Sequence, residues 1–286
     1  MSGVPKPLRP RAWITGAAGL IGHYLAHAST QFDIIPLART DLDLTNFAAV
    51  DEKFRHDRPQ LILHCAAMSK SPDCQANPTR ARAINVDATA HLAALAADCR
   101  LVFFSTDLVF DGSKGNYIEI DAVNPLSIYA ETKVAAEKFV LKNPRHIVLR
   151  TSLNSGASPG GRTTYNEQLR DAWQREKTAK LFVDEFRCPI AATVTARATW
   201  EVAESDASGL FHLAGAEHLS RLQIGRLLAA RHPELNARID ACSLAEYDGP
   251  PRPPDTSLNC AKVQKLLSFP LPGLTQWLHD HPEDAF

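Results

Sequence analysis

The stretch Ala12-Trp13-Ile14-Thr15-Gly16-Ala17-Ala18-Gly19-Leu20-Ile21-Gly22 decides the fold. Ala12–Thr15 reads as a short strand and Leu20–Ser29 as the helix that follows, with three glycines at three-residue intervals between and into them. Gly16 suits a tight turn, Gly19 lets backbone amides approach a pyrophosphate, and Gly22 lets helix and strand pack closely. The helix then turns its free N–H groups toward an anion. Three glycines alone would say little; between a strand and a helix, at the head of an alternating chain, they predict a dinucleotide-binding turn.

The alternation continues outward from that turn. Asp33–Leu37 is a second predicted strand, its end weakened by Pro36. Asn46–Asp57 has one apolar helical face, Leu61–Cys65 is a strand, and an Ala-rich helix runs to about Ala97. Leu101–Ser105, Ser127–Leu141 and His146–Leu149 read as strand, helix and strand. Wholly apolar strands separated by helices predict an α/β fold, a doubly wound parallel sheet covered on both faces. Beyond Arg150 the rhythm loosens. Thr151–Thr163 is loop-rich, and Tyr247–Pro254 is too rich in proline for regular structure. Helices are expected at Thr164–Glu176, Thr193–Ser205 and Arg221–Arg231, with strands at Lys180–Val183 and Leu210–Leu213. The expected organisation is a leader over residues 1–10, a dinucleotide-binding core over 11–150, and a smaller C-terminal substrate lobe over 151–286 that returns some segments to the core.

Composition excludes several classes. At 286 residues, with 45% apolar and 22% charged, the chain suits a large globular domain rather than a disordered or fibrous one. Lys and Arg total 31 against 32 Asp and Glu, so nucleic acid is not expected as a partner. Six scattered cysteines form no C-x-x-C pair, which argues against a disulfide framework and for a cytoplasmic location. The proline-rich leader lacks an apolar h-region, and no apolar run reaches the ~18 residues needed to cross a membrane. No metal centre is expected: His23 and His27 share a helix face but have no Glu between them and no third ligand.

The residues after the second strand bear on the cofactor. An acidic side chain there usually holds the ribose 2′-hydroxyl of NAD, whereas an Arg accommodates the 2′-phosphate of NADP. Arg39 comes first in Ala38-Arg39-Thr40-Asp41-Leu42-Asp43-Leu44, and its planar fork suits a phosphate. NADPH is therefore expected, with Asp41 keeping NADH open. Tyr129 has Lys133 four residues on, one turn of helix, so phenol and ammonium share a face. A free tyrosine, with pKa ~10, is a poor acid–base group at neutral pH. The ammonium and a positive nicotinamide are expected to lower that value. The fourth strand ends in Phe104-Ser105-Thr106-Asp107 and delivers the hydroxyl such a site needs.

The G-x-x-G-x-x-G spacing resembles the extended branch of the short-chain dehydrogenase/reductase superfamily. His64-Cys65-Ala66-Ala67 looks like that family's loop along the adenosine side of the cofactor, and Asn85-Val86 resembles its helix motif. Ser105-Thr106-Asp107-Leu108-Val109-Phe110-Asp111-Gly112 is similar to a segment of dTDP-4-dehydrorhamnose reductases and related sugar-nucleotide reductases. The likeness continues through residues 124–129, 149–152, 184–189, 209–215 and 252–259. It implies a Rossmann-type fold and catalysis by Thr106, Tyr129 and Lys133. The cofactor would lie along Gly16, Ala18, Gly19, Leu20, Ile21, Gly22 and Arg39, with Asp43 and Leu44 bracketing adenine. Ala66, Ala67, Met68, Tyr129 and Lys133 would complete that site. Thr106, Asp107 and Leu153 would meet the substrate, a 4-keto-6-deoxyhexose nucleotide. Two departures stand out: Leu108 where the family commonly has Tyr, and Leu153 where it has a substrate-contacting Trp.

Two alternatives use the same fold. A sugar-nucleotide epimerase or 4,6-dehydratase shares the cofactor, but related dehydratases place Asp-Glu after the Thr, and here Leu108 follows Asp107. A regulatory subunit resembling the methionine adenosyltransferase beta subunit would bind NADP without turnover, though such a protein has no chemical need of the complete Thr106–Tyr129–Lys133 set. The small residues of Arg80–Ala97 offer either a homodimer face or close packing within one chain.

Overall fold

The computed structural model describes residues 9–28, 30–160 and 164–284. Most of the leader, Ser29 at the end of the first expected helix, and 161–163 at the end of the expected loop lie outside the described residues.

Five strands come from the first half: β1 (Arg11–Thr15), β2 (Asp33–Leu37), β3 (Leu61–His64), β4 (Arg100–Thr106) and β5 (Ile147–Thr151). Together with Gly209–Leu213 they form one all-parallel sheet, ordered Gly209–Leu213, β5, β4, β3, β1, β2. The chain leaves β1 toward β2 and then crosses back to lay β3 on the other side. That reversal opens a crevice above the carboxyl ends of β1 and β3.

The alternation of side chains along each strand explains why both faces are dry. Ala12, Ile14, Leu61, Leu63, Val102, Phe104 and Leu149 pack on one face against Leu25 and Trp200. Trp13, Ile62, Leu101, Phe103 and Val148 pack on the other against Leu92 and Val140. Adjacent residues thus enter opposite cores, and the sequence shows continuous apolar runs. Pro36 survives because β2 is the edge strand, where a missing N–H costs no ladder bond.

Two helices flank the crevice early, α1 (Leu20–His27) and α2 (Phe47–Asp57). The expected Ala-rich helix is instead broken into Ser71–Ala76, Pro78–Arg82, a π-helical turn at Ala83–Asp87, and Ala88–Leu95. Pro78 lacks the N–H to continue the preceding turn. The π turn carries Asn85 inward, where it accepts from the Met68 amide at 2.8 Å and donates to the Met68 carbonyl and the Thr132 hydroxyl at 3.0 Å each. The small residues Ala81, Ala88 and Ala93 are buried within this one chain.

The second half divides between core and lobe. Gly209–Leu213 joins the sheet beside β5, and Ala192–Glu204 packs on α1. Above the crevice lie Tyr165–Gln174 and Arg221–Arg231, each opened by a capping box (Thr164 with Glu167, Ser220 with Gln223). Ala179–Phe182 pairs with Ile239–Cys242, and Phe186–Arg187 pairs antiparallel with Leu219–Ser220. No helix among the described residues is long and apolar enough to cross a membrane. All six cysteines are free.

Candidate active site

A cleft of about 1360 Å³ follows the crevice from the glycine turn to the lobe. One drug-sized ligand takes roughly 300–1,000 Å³, so this cleft has room for a cofactor and a second molecule. A smaller groove of about 460 Å³ between α1 and Ala192–Glu204 carries no glycine turn and no reactive set.

The glycine turn is sterically obligatory. Gly16 sits at φ +68°, and a Cβ there would lie 2.7 Å from the Ala66 amide nitrogen. A Cβ on Gly22 would lie 2.4 Å from the Gly16 carbonyl oxygen, so this glycine is needed for the turn to close on its own helix. Gly16, Ala18 and Gly19 line the cleft floor, followed by Leu20, Ile21 and Gly22. The last three form the first turn of α1, whose N–H groups have no intrahelical acceptor. These residues fit the diphosphate of a dinucleotide: a side chain at Gly16 or Gly22 would collide with backbone and keep the turn from closing beneath it.

The expected adenosine side is assembled from two strand ends. Arg39, Asp43 and Leu44 line the cleft after β2, and Ala66, Ala67 and Met68 line it after β3. Asp43 is held below its ordinary value by hydrogen bonds from the Thr45 hydroxyl and amide, with a smaller contribution from Arg39 and Arg80. Arg80 also lines this end, a second guanidinium that the sequence did not single out because it belongs to a helix of its own. Asp41 is spent elsewhere: its carboxylate accepts the Ala38 amide at 2.8 Å and closes the local turn.

Behind the cleft wall, a hydrogen-bond chain joins β1 to β3. Thr15 Oγ1 lies 2.7 Å from His64 Nδ1, and His64 Nε2 lies 2.9 Å from Thr89 Oγ1. Thr15 Oγ1 also accepts the Ala66 amide, and Thr89 donates to the Asn85 carbonyl. The two ends dictate the proton positions: Thr15 donates to Nδ1, and a neutral imidazole donates from Nε2 to Thr89. Burial pushes His64 down to about 3, in keeping with that neutral ring.

The reactive groups converge where β4 ends against the helix Ile128–Val140. Ser127 caps that helix by accepting the Ala130 amide at 3.3 Å, which starts the turn carrying Tyr129 and Lys133. Thr106, Tyr129 and Lys133 all line the cleft. Lys133 is 3% exposed, with Nζ 4.0 Å from the Phe103 ring centroid. Burial brings its ammonium down to about 7, opposed by the Glu137 carboxylate one turn further on. Glu137 is in turn held by Arg150 at 2.9 and 2.7 Å and by the Ser105 hydroxyl at 2.5 Å.

The spacing argument has the ammonium and a bound nicotinamide together drawing the phenol's pKa down. Among the chain's own groups, burial drives Tyr129 above its ordinary value and the Asp107 carboxylate raises it further, while a Thr106 hydrogen bond works the other way. The Lys133 ammonium faces the Phe103 ring and the Glu137 carboxylate.

Asp107 lies at the cleft wall, but its carboxylate faces the protein: Oδ2 accepts from Ser152 at 2.7 Å and Thr256 at 2.9 Å. Leu108 and Leu153 line the cleft. The lobe adds Tyr165, Gln168, Arg187, Arg221 and Arg252, none of which the sequence reading proposed as site residues. Their hub is Glu185, fully buried, which binds Arg187 at 3.0 Å, Arg221 at 2.9 Å and Arg252 at 2.7 Å. No signal of spacing links these four positions. Among the described residues no cluster of three or more His, Cys, Asp or Glu is arranged to hold a metal; the His23 and His27 rings lie tilted at 45° to each other, centroids 4.2 Å apart.

Comparison with known proteins places this geometry in a family. A dTDP-4-dehydrorhamnose reductase of Sinorhizobium fredii is 31% identical over 279 residues, covering 92% of this chain and 93% of that protein. Methionine adenosyltransferase 2 subunit beta of Xenopus laevis is 28% identical over 274 residues, covering 90% and 82%. The crystal structure of a Bacillus anthracis dTDP-4-dehydrorhamnose reductase in complex with NADP superposes with a TM-score of 0.88 at 22% identity, covering 96% of this chain and 98% of that one, a likeness of fold. The RmlD substrate binding domain family matches residues 11–283, nearly the whole chain. The protein belongs to the RmlD substrate-binding domain family.

Proposed function

We propose that the protein is an NADPH-dependent reductase of a nucleotide-activated keto sugar, with a nucleotide 4-keto-6-deoxyhexose as its substrate class. The observation that carries this reading is the convergence of Thr106, Tyr129 and Lys133 on one cleft with a turn that admits no side chain at Gly16 or Gly22. The cofactor, when bound, supplies the hydride. The chain's own residues handle position and the proton. Thr106 presents a hydroxyl to the carbonyl oxygen, and Tyr129, kept protonated by burial and Asp107, gives its proton to the oxygen as it becomes an alkoxide. Lys133 holds the nicotinamide ribose. Arg39, not Asp41, lines the adenosine end, which supports NADPH over NADH.

The test is NADPH oxidation followed against a panel of nucleotide 4-keto sugars beginning with dTDP-4-dehydrorhamnose. Turnover of at least one member is the expected result; none reduced at any cofactor concentration defeats the reading. The similarity to methionine adenosyltransferase beta subunits favours one second reading, a cofactor-binding subunit. That reading requires NADPH binding without ketone reduction, and a stoichiometric catalytic partner on purification.

A further inference from the structure

We propose that Arg80 is a second specificity-determining residue for the cofactor: from the chain after β3 it closes, together with Arg39 from the turn after β2, on the 2′-phosphate that distinguishes NADPH from NADH. This role rests on the reading above that the cleft takes NADPH.

Both guanidiniums stand on fixed backbone at the adenosine end of the cleft. At Arg39 the turn is closed twice over: the Ala38 carbonyl accepts the amides of Asp41 at 3.0 Å and Leu42 at 3.1 Å, and the Ala38 amide donates to the Asp41 carboxylate at 2.8 Å. Arg80 lies in the short helix Pro78–Arg82. Asn77, Arg80 and Ile84 follow one another at helical spacing and all line the cleft, whereas Ala81 and Asn85 are buried on the other side. The Ala81 amide donates to the Asn77 carbonyl at 2.9 Å, and with Ala81 fully buried this turn cannot roll Arg80 out of the cleft.

Charge is what makes the second arginine necessary. The turn after β2 carries Arg39 against two carboxylates, Asp41 and Asp43. A phosphate monoester brings a further charge of about −1.5 to −2 at pH 7, and on that turn alone it would meet more negative than positive charge. Arg80 supplies the missing cation. Its influence reaches the same spot: Asp43, held low first by Thr45, is drawn down further by Arg39 and Arg80. Neither guanidinium is spent elsewhere, since among the described residues Arg39 and Arg80 make no hydrogen bond and no ion pair. Arg82, two residues on, is instead paired with Asp87 at 3.6 Å and does not line the cleft. Two planar forks suit the several oxygens of a phosphate, whereas NADH presents a single hydroxyl there and gains little from either.

The experiment is calorimetric titration of the full-length protein with two fragments of the cofactor, 2′,5′-ADP and 5′-AMP, which differ only in the 2′-phosphate. Wild-type protein should bind 2′,5′-ADP about 100-fold more tightly than 5′-AMP. Arg80→Ala should weaken 2′,5′-ADP about tenfold, the modest figure that an exposed charge allows, and change 5′-AMP by less than about twofold. In the double variant Arg39→Ala, Arg80→Ala the two fragments should bind alike. Arg82→Ala removes the same charge from the same short helix and should leave the preference intact. A preference that survives Arg80→Ala overturns the proposal. So does an equal loss for both fragments, which would place Arg80 on the adenine, and so does an equal loss in Arg82→Ala, which would make the effect one of overall charge. Wild-type protein with no preference for 2′,5′-ADP defeats the NADPH reading itself, an outcome distinct from a preference that does not depend on Arg80.

Discussion

Two side chains carry predictions at the scale of single residues. Tyr129→Phe removes the transferable proton and leaves the ring, so kcat should fall by at least about 100-fold while NADPH affinity changes little. Stopped assays and a fluorescence titration of the same preparation separate the two; retained turnover would remove Tyr129 from its role. Arg39 lines the cleft at an exposed rim, where a charge-assisted hydrogen bond to a 2′-phosphate is partly screened. Arg39→Ala should therefore weaken NADPH by about tenfold, toward the lower end of what such bonds contribute, and leave NADH unchanged. Equal losses for both cofactors would make Arg39 structural, and Arg80, which shares that end, the next candidate. Both residues were legible in the sequence because their meaning is local: one turn of helix separates Tyr129 from Lys133, and Arg39 follows its strand directly.

Among the elements, the turn between β1 and α1 sets two effects against each other. Within a helix, alanine is favoured over glycine by about 1 kcal/mol. At Gly22, however, the added Cβ would stand 2.4 Å from the Gly16 carbonyl oxygen, a backbone atom that cannot swing aside. The clash wins: Gly22→Ala should lower the thermal midpoint and weaken cofactor binding, and a stabilised variant would show that the turn is looser than its geometry. Between the helix Ile128–Val140 and β5, Glu137 and Arg150 are both almost fully buried and meet at 2.7 Å. Glu137→Gln leaves the guanidinium without its counter-charge, and should cost about 3–5 kcal/mol in denaturant unfolding. The sequence announced the helix, but neither its cap at Ser127 nor this pair. Glu137 reads as one more charged residue on an amphipathic helix until β5 brings Arg150 across from it. The π turn was hidden for the same reason: Ala83–Asp87 looks like ordinary helix, and Asn85 is drawn inward by Met68 and Thr132.

The pH dependence of stability belongs to the whole molecule. His64 and His212 are fully buried, and desolvation is the chief cause of pushing them down to about 3 and about 4. An unfolded chain takes up these protons near pH 6.5, whereas the folded protein refuses them until far lower. Stability is therefore undiminished above pH 6.5 and falls as pH drops from there toward 4, by up to about 1.4 kcal/mol per pH unit for each histidine. Carboxylates held low, such as Glu185 at about 2, add their loss only below their ordinary value near 4.5. Urea unfolding at pH 7, 5.5 and 4.5 isolates the histidine window. His64→Gln should make the loss between pH 7 and 4.5 smaller by roughly 2–3 kcal/mol; an unchanged loss would assign the acid sensitivity elsewhere.

The sequence by itself determined what short-range periodicity can encode. Apolar runs alternating with helical faces specify strands covered on both sides, glycines at Gly16, Gly19 and Gly22 between the first strand and its helix mark a tight turn, and Tyr129 with Lys133 share a face by the pitch of one helix. Tertiary structure decided what depends on sheet order and on contacts remote in the chain. Gly209–Leu213 reads as a strand, but only the parallel register with β5 shows that it belongs to the central sheet. Asp107 looks like a cleft residue beside Thr106, yet its carboxylate is claimed by Ser152, 45 residues away, and Thr256, 149 residues away. Glu185, Arg187, Arg221 and Arg252 become one charged hub only when the Phe186–Arg187 and Leu219–Ser220 strands pair. The physical reason is common to all three: a pattern in sequence reports which face of an element is buried, whereas the identity of the group buried against it is set by closing long loops, and the spacing of residues carries no record of that closure.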